Sequence, residues 1–304
     1  MNHKVMKILK NPAALFLTLG YRGVFNWVPD ELYLKIAFWC KTHRKLNLKC
    51  PKTFPEKLNW LKLYDRNPNY SDMVDKYKAK AIISERVGEQ YTIPTLGVWD
   101  SFDEIDFSRL PNEFVLKCNH DSGSIYFCRD KKELDIKRAR KILEKGLRHN
   151  SFGAAREWPY KNIKPCIIAE KYLEERSDSE RCLTDYKFFC FNGIPRIVYV
   201  SKDKAERPTT DFFDMEYNHL PIKIRDGQAD IPPKKPEGFD EMRTIAEKLS
   251  QGIPHLRVDF YQVDGRVYVG EMTFYHLGGM ANVQPESWNI KLGEWINLHG
   301  YIDK

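Results

Sequence analysis

His255-Leu-Arg-Val-Asp-Phe-Tyr-Gln-Val-Asp-Gly-Arg-Val-Tyr-Val-Gly-Glu-Met-Thr-Phe274 alternates apolar and polar residues on both sides of Asp264-Gly265. This is the pattern of two β-strands joined by a turn. A two-residue loop would pair Val263 with Arg266, send Asp259 and Glu271 to opposite faces and mix the apolar residues. A three-residue loop, Val263 to Gly265 with Gly265 left-handed as a bulge, pairs Gln262 with Arg266 instead. Leu256, Val258, Phe260, Gly270, Met272 and Phe274 then share one face, and Arg257, Asp259, Glu271 and Thr273 the other. A one-residue slip inverts every side chain, so the hydrophobic pattern selects the three-residue loop.

Two carboxylates, a hydroxyl and a guanidinium thus project from neighbouring strands. Hard oxygens of this kind suit Mg²⁺ that also holds nucleotide phosphates. An ion pair between Arg257 and Asp259 or Glu271 on an exposed sheet is the competing reading, and the hairpin alone leaves both open.

At 304 residues and 42% hydrophobic, the chain can bury a sizeable core and divide into two or more lobes. The cysteines at 40, 50, 118, 128, 166, 182 and 190 form no Cys-x-x-Cys pair and are odd in number, which suggests neither a zinc site nor a disulfide framework and fits a reducing cytoplasm. The net charge of +7 points to an anionic partner such as a nucleotide, an acidic sugar or an anionic membrane surface. No Lys/Arg run interleaved with aromatics favours nucleic acid. The first apolar run, Pro12 to Leu19, is too short to span a bilayer and lacks a clear cleavage site.

Residues 1–50 mix basic residues with aromatics, among them Trp27 and Trp39. They are expected to pack against the main domain as helices, with peripheral membrane association as the alternative. A helix capped by Asp30 is expected over Asp30 to His43. Another begins near Thr53 to Pro55, with Leu58, Leu61, Leu63 and Tyr64 inward. The next runs from Ser71 to Val87 and places Lys76 and Lys80 one turn apart, facing one anion or solvent. Phe114 to Asn119 and Ile125 to Cys128 are strands around the turn-rich His120-Asp-Ser-Gly-Ser. Lys117 and the backbone of Ser122 to Ser124 can there grip phosphates, although a simple polar hairpin is the commoner case. A helical stretch from Lys131 to His149 and a buried strand from Cys166 follow. Asp185 to Val200 is a second hairpin turning at Asn192-Gly193, with Asp185, Lys187, Phe189 and Phe191 on one face. Arg207 to Pro236 reads as long connections with short strands or a substrate loop. Glu237 to Ser250 is an amphipathic helix with Met242, Ile245, Ala246 and Leu249 inward, and a terminal helix lies near Lys291 to Leu298. Trp27, Trp39 and Trp60 are expected in the core or an interface, and His120 and His276 as structural hydrogen-bonding residues.

Several ordered blocks resemble the TupA-like ATP-grasp family of bacterial surface-polysaccharide biosynthesis. They are Pro51-Lys-Thr-Phe-Pro-Glu-Lys-Leu-Asn-Trp, Asp75-Lys-Tyr, Phe114-Val-Leu-Lys-Cys-Asn-His, Ile168-Ala-Glu-Lys-Tyr-Leu, Asp185-Tyr-Lys-Phe-Phe-Cys-Phe-Asn-Gly, and Arg257-Val-Asp-Phe-Tyr with Gly270-Glu-Met-Thr-Phe. The resemblance implies an α+β ATP-grasp fold in which two lobes clasp ATP. It divides the chain into a helical N-terminal segment (1–50), an N-terminal lobe (51–165) with a lid from about 75, and a C-terminal lobe with the metal site (166–304). Lys76 and Lys117 would hold phosphates, with Ser122, Gly123 and Ser124 as the lid loop. Glu170, Lys171, Tyr172 and Leu173 would form the hinge that meets adenine, and Glu175 would meet the ribose. Asp185 and Lys187 would sit at the terminal phosphates. Asp259, Glu271 and Thr273 would bind Mg²⁺, with Glu271-Met-Thr273 standing where the family pattern has Glu-x-Asn.

The resemblance further implies a cytoplasmic amide ligase, working at or near the inner membrane face. It would phosphorylate a carboxylate with ATP and pass the acyl group to an amine, amidating a uronic acid of a capsule or joining an amino acid to it. Arg257 and Lys187 would be the catalytic pair, with Arg257 on the carboxylate or acyl phosphate. A glycosyltransferase is the main rival, but the chain has no Asp-x-Asp and only Asp178-Ser-Glu180 comes near. A kinase-like phosphotransferase is the second, without a His-Arg-Asp loop. A non-enzymatic membrane-bound scaffold is the third.

Overall fold

A computed structural model describes residues 11–174, 183–202 and 209–298. Helices α1 (Pro12–Tyr21), α2 (Asp30–Thr42), α3 (Phe54–Tyr64), α4 (Asn69–Val74) and α5 (Ala79–Val87) lead into strands β1 (Thr95–Trp99), β2 (Phe114–Cys118) and β3 (Ile125–Cys128). Helices α6 (Ile136–Leu147) and α7 (Phe152–Ala155) and strand β4 (Ile167–Lys171) follow. Strands β5 (Thr184–Phe191), β6 (Ile194–Lys202), β7 (Thr209–Phe213) and β8 (His219–Leu220), helix α8 (Phe239–Ser250), strands β9 (His255–Val263) and β10 (Arg266–Thr273) and helix α9 (Glu286–Glu294) complete the chain. The expected α+β class is what these elements build.

Two antiparallel sheets carry the architecture. The smaller has the order β1-β4-β2-β3 and the larger β10-β9-β5-β6-β7-β8. One face of the small sheet, with Phe114, Leu116, Ile167 and Ala169, packs on Ala139 and Leu143 of α6. The other face carries Val115, Lys117, Ile168 and Glu170, which pair across β2 and β4. The large sheet is covered on both sides. Phe188, Val258 and Phe260 meet α8, whose Met242, Ile245, Ala246 and Leu249 are all buried as the 3.6-residue period requires. On the opposite face Phe54 of α3 packs among Phe189, Phe191 and His255.

The β9–β10 hairpin closes differently from the expected three-residue loop. Val263 pairs with Arg266, and Asp264 and Gly265 both take positive φ (50° and 74°), the two-residue turn that suits strand twist. The register then shifts between Val269 and Glu271, leaving Gly270 as the extra residue of a bulge. Phe260 opposes Val269 before the bulge and Val258 opposes Met272 after it, so Val267, Val269 and Met272 all reach the core. The bulge resolves the mixing of apolar residues that a two-residue loop alone would cause. Asp259 and Glu271 still share a face as expected, now as direct partners.

Other expectations are corrected by tertiary contacts. The helix expected over Ser71 to Val87 breaks between Val74 and Ala79. Asp75 turns inward to accept from Tyr77 N–H, Lys78 N–H and the Asn119 amide, while Lys76 N–H donates to the Asn119 carbonyl. Lys76 and Lys80 therefore do not ride on one helix face. Asp30 is the first helical residue rather than the cap, which falls on Pro29. Thr53 does cap α3, its N–H bonded to Glu56, but Tyr64 is exposed. The stretch from Lys131 opens with a short 3₁₀ turn before α6, and the last helix is Glu286–Glu294, earlier than Lys291 to Leu298. Trp60 is in the core as expected, whereas Trp27 and Trp39 are exposed and so lie outside it.

Candidate active site

Strand alternation and register assemble a charged row on the large sheet. Lys187 of β5 pairs with Asp259 of β9, which pairs with Glu271 of β10. The next row is Phe189, Arg257 and Thr273. Arg257 gathers this patch. Its guanidinium donates to both Asp259 oxygens (2.6 Å each), to Glu271 (3.0 Å), to Thr273 Oγ1 (3.1 Å) and to Nδ1 of His276 (2.9 Å). Accepting at Nδ1 fixes His276 as the neutral Nε2–H tautomer. Burial and the neighbouring Arg257 charge together push its pKa well down. Lys187 lies 3.0 Å from Asp185 and 3.2 Å from Asp259.

Lys117 of the small sheet, with Lys76 and Lys80 from the turn before α5 and from α5 itself, supplies the facing cations. Glu170, buried on β4, sits between Lys80 (2.7 Å) and Lys117 (2.6 Å). Burial raises its pKa, but the two ammonium groups outweigh that and hold it below the usual value. Lys76 bridges the lobes, donating to the Asp121 carbonyl (2.6 Å) and standing 3.9 Å from Glu271. Burial alone would raise Glu271. Lys76, Arg257, Lys187 and Lys117 reverse this and bring it down to about 2. Basic groups from both sheets therefore act on one carboxylate, and a narrow gap lined by Lys76, Lys80, Glu170, Gly270 and Glu271 separates the sheets there.

The loop after β2 is ordered by Asp121, which accepts from Ser124 Oγ (2.5 Å). Ser122 and Gly123 are exposed, Ser124 is buried, and nothing lies within 4 Å of a Cβ built on Gly123. After β4 the chain crosses between the sheets. Lys171 N–H is bonded to the Pro94 carbonyl, Tyr172 accepts from Arg129 Nε (2.9 Å), and Leu173 packs beside Ile93, Val263 and Tyr268. Glu175 lies outside the described residues, as does the Asp178-Ser-Glu180 segment.

The family model of TupA-like ATP-grasp proteins matches residues 56–297. The chain belongs to the TupA-like ATP-grasp family. No curated protein sequence matches it. Solved structures similar to this ATP-grasp chain include the D-alanine–D-alanine ligase of Bacillus anthracis complexed with ATP, at 18% identity and TM-score 0.40, covering 66% of this chain and 55% of that one. The D-alanine–D-alanine ligase of Helicobacter pylori is 12% identical with TM-score 0.43, covering 80% and 66%. The ATP-grasp ligase PsnB complexed with minimal precursor is 11% identical with TM-score 0.41, covering 75% and 61%. The chain thus spans between half and two thirds of the length of these structures.

The donor set of this ATP-grasp chain fits Mg²⁺, which is held by one or two carboxylates together with substrate phosphates. Asp259, Glu271 and Thr273 offer hard oxygens on one face, gathered around Arg257. Among the described residues no three His, Cys, Asp or Glu side chains form a protein-only metal cage. Also among them, no helix is long and apolar enough to cross a membrane.

Some groups around the site carry no strong sequence signal. Tyr261, partly buried and close to Asp185, is raised well above the usual tyrosine range by desolvation and by the Asp185 charge. Glu157 is pushed up to about 7 by burial, against the pull of Lys62 and Arg257. Buried Lys62 is held by Asn59 Oδ1 and by the Ala155 and Gly278 carbonyls. The signal available for Glu157 is a lone acid in an aromatic, apolar run, Arg156-Glu-Trp-Pro-Tyr.

Proposed function

We propose that this chain is an ATP-dependent carboxylate–amine ligase of bacterial surface-polysaccharide biosynthesis, acting in the cytoplasm on a uronic acid that it amidates or joins to an amino acid. The single observation that carries the reading is the convergence of Lys76, Lys117, Lys187 and Arg257 on Glu271, beside a gap lined by Lys76, Lys80, Glu170 and Glu271. Cations from two sheets around paired carboxylates suit a polyphosphate held with a divalent ion.

In this reading Lys76, from the turn between α4 and α5, and Lys117 of the small sheet hold phosphates, and Lys187 meets the terminal ones. Backbone N–H groups at Ser122 to Ser124 close over them, and the chain from Glu170 to Leu173 meets adenine beside the apolar Ile93, Val263 and Tyr268 cluster. Asp259, Glu271 and Thr273 would hold Mg²⁺, which when bound neutralises charge on the phosphates. A carboxylate oxygen of the acid attacks the γ-phosphorus and the bond to ADP breaks. The amine then attacks the acyl carbon, phosphate leaves and the amine gives up a proton. Arg257 keeps the carboxylates of the row in place, and freeing part of its guanidinium would let it meet the acyl phosphate.

The test incubates protein, Mg·ATP and uronic acids with hydroxylamine and looks for hydroxamate and ADP. Both are expected, and Lys117→Ala and Glu271→Gln should abolish them in folded protein. UDP-sugar turnover without ATP, or a phosphorylated sugar as product, would replace the ligase reading.

A further inference from the structure

A cavity of about 880 Å³ opens beside the 121–124 loop. This is within the roughly 300–1,000 Å³ of small-molecule sites. Its walls come from the end of α1, from α6 and from the loop itself, with Glu157 also on its lining. Two contacts tie it to the charged row. The carbonyl of Asp121, on its rim, receives Lys76, which in turn approaches Glu271. Glu157 is close enough to Arg257 and Glu271 for their charges to act on it.

We propose that this cavity holds the acid to be activated, that the acid is an anionic saccharide, and that residues 21 and 22 of the N-terminal segment help select it. The inference rests on the ligase reading. Arg22, Lys145 and Arg148 line the cavity and are exposed. The lining acids are Asp121, already bonded to Ser124, and Glu157. Cations therefore dominate the open part. Tyr21, half exposed, stacks on His149 at 4.3 Å. His149 is held below its usual pKa mainly by burial, so the pair is a neutral aromatic platform of the kind that receives the apolar face of a sugar ring.

The wall is fixed, not draped. Arg156, itself 1% exposed, donates to Asn26 (3.0 Å) and to the Phe25 carbonyl, lies 3.2 Å from Asp30 and stacks over Tyr33. Tyr33 donates to the Ala154 carbonyl (3.0 Å). Gly153 lets the segment approach, since a Cβ there would stand 2.9 Å from the Gly20 carbonyl oxygen. Arg156 thus fastens the N-terminal segment one residue from Glu157. Tyr21 and Arg22 precede the family match, which begins at residue 56, whereas Lys145, Arg148 and His149 lie within it.

The experiment measures binding of tetragalacturonate to the full chain without nucleotide, by saturation-transfer NMR, with maltotetraose and hexaglutamate as comparators and ATP binding followed separately. Tetragalacturonate should bind and maltotetraose should not. Arg22→Glu with Arg148→Glu, and separately Tyr21→Ala, should weaken it at least about tenfold, the size of a lost charged contact, with ATP affinity unchanged. No binding of tetragalacturonate overturns the inference, as does equal binding by the charge-reversed variant. Hexaglutamate binding that tetragalacturonate fails to displace overturns the saccharide class in favour of a peptide. Failure of the wild-type chain to bind ATP would instead remove the ligase reading.

Discussion

Asp259 and Glu271 stand directly opposite each other on β9 and β10, and they do so because Gly270 adds one residue to β10. Without that residue the two-residue turn would place them on opposite faces of the sheet. The bulge is therefore the local feature on which the acidic row depends.

Gly270→Ala tests it. A Cβ there would lie 2.7 Å from Cε2 of the partly buried Tyr261 ring, which would have to shift. The strain should destabilise the protein by about 1–3 kcal/mol, read by urea denaturation, and lower ADP formation more than the loss of folded protein explains. A variant with unchanged stability and turnover would show that the bulge tolerates a side chain.

Arg257→Lys removes the gathering group without removing charge. A single ammonium cannot reproduce the paired contacts to Asp259 together with those to Glu271, Thr273 and His276. A loss of about 3 kcal/mol is expected, the scale of a broken buried pair. Urea titration at neutral pH measures it, and a change near zero would mean that the carboxylates are held by the lysines alone.

Glu271 makes stability depend on pH at the acid end. Its folded pKa of about 2 lies below the ordinary 4.5. The stabilisation is present above the unfolded value and is lost as pH falls from 4.5 toward about 2. Urea midpoints across that window should fall less steeply for Glu271→Gln than for wild type. Parallel slopes would show that the carboxyl titrates normally in the folded protein.

His255 acts in a higher window. Buried among Phe54, Phe189 and Phe191 and bonded through Nδ1 to the Phe274 carbonyl, it is lowered to about 4, chiefly by burial, from the usual 6.5. Between these values the unfolded chain takes up a proton that the folded chain refuses, so stability falls as pH drops from 6.5 toward 4. At pH 5 the loss should reach about 2 kcal/mol. His255→Phe should remove this pH dependence, and a variant that keeps it would assign the proton elsewhere.

The faces of the hairpins were legible because strand alternation is local. Asn192-Gly193 and Asp264-Gly265 mark their turns in the chain itself, and both adopt the positive φ that those residues favour. The inward residues of α8 follow in the same way from their spacing. Glu170 was legible as part of a buried strand, but its clasp by Lys80 and Lys117 was not, because those lysines come from separate segments.

The sequence by itself determined that Asp259 and Glu271 share a face and that the hairpins turn around Asn192-Gly193 and Asp264-Gly265, since alternation and turn residues are local; it did not determine the two-residue closure of β9–β10 or the bulge at Gly270. Only the tertiary structure decided that Asp259 faces Glu271, that Asp75 and Lys76 break a helix, and that Arg156 fixes an N-terminal wall beside Glu157. For Asp75 and Arg156 a partner distant in the chain, Asn119 or Asn26, supplies the contact, and for Asp259 the extra residue Gly270 shifts the register; no simple alternation carries that information.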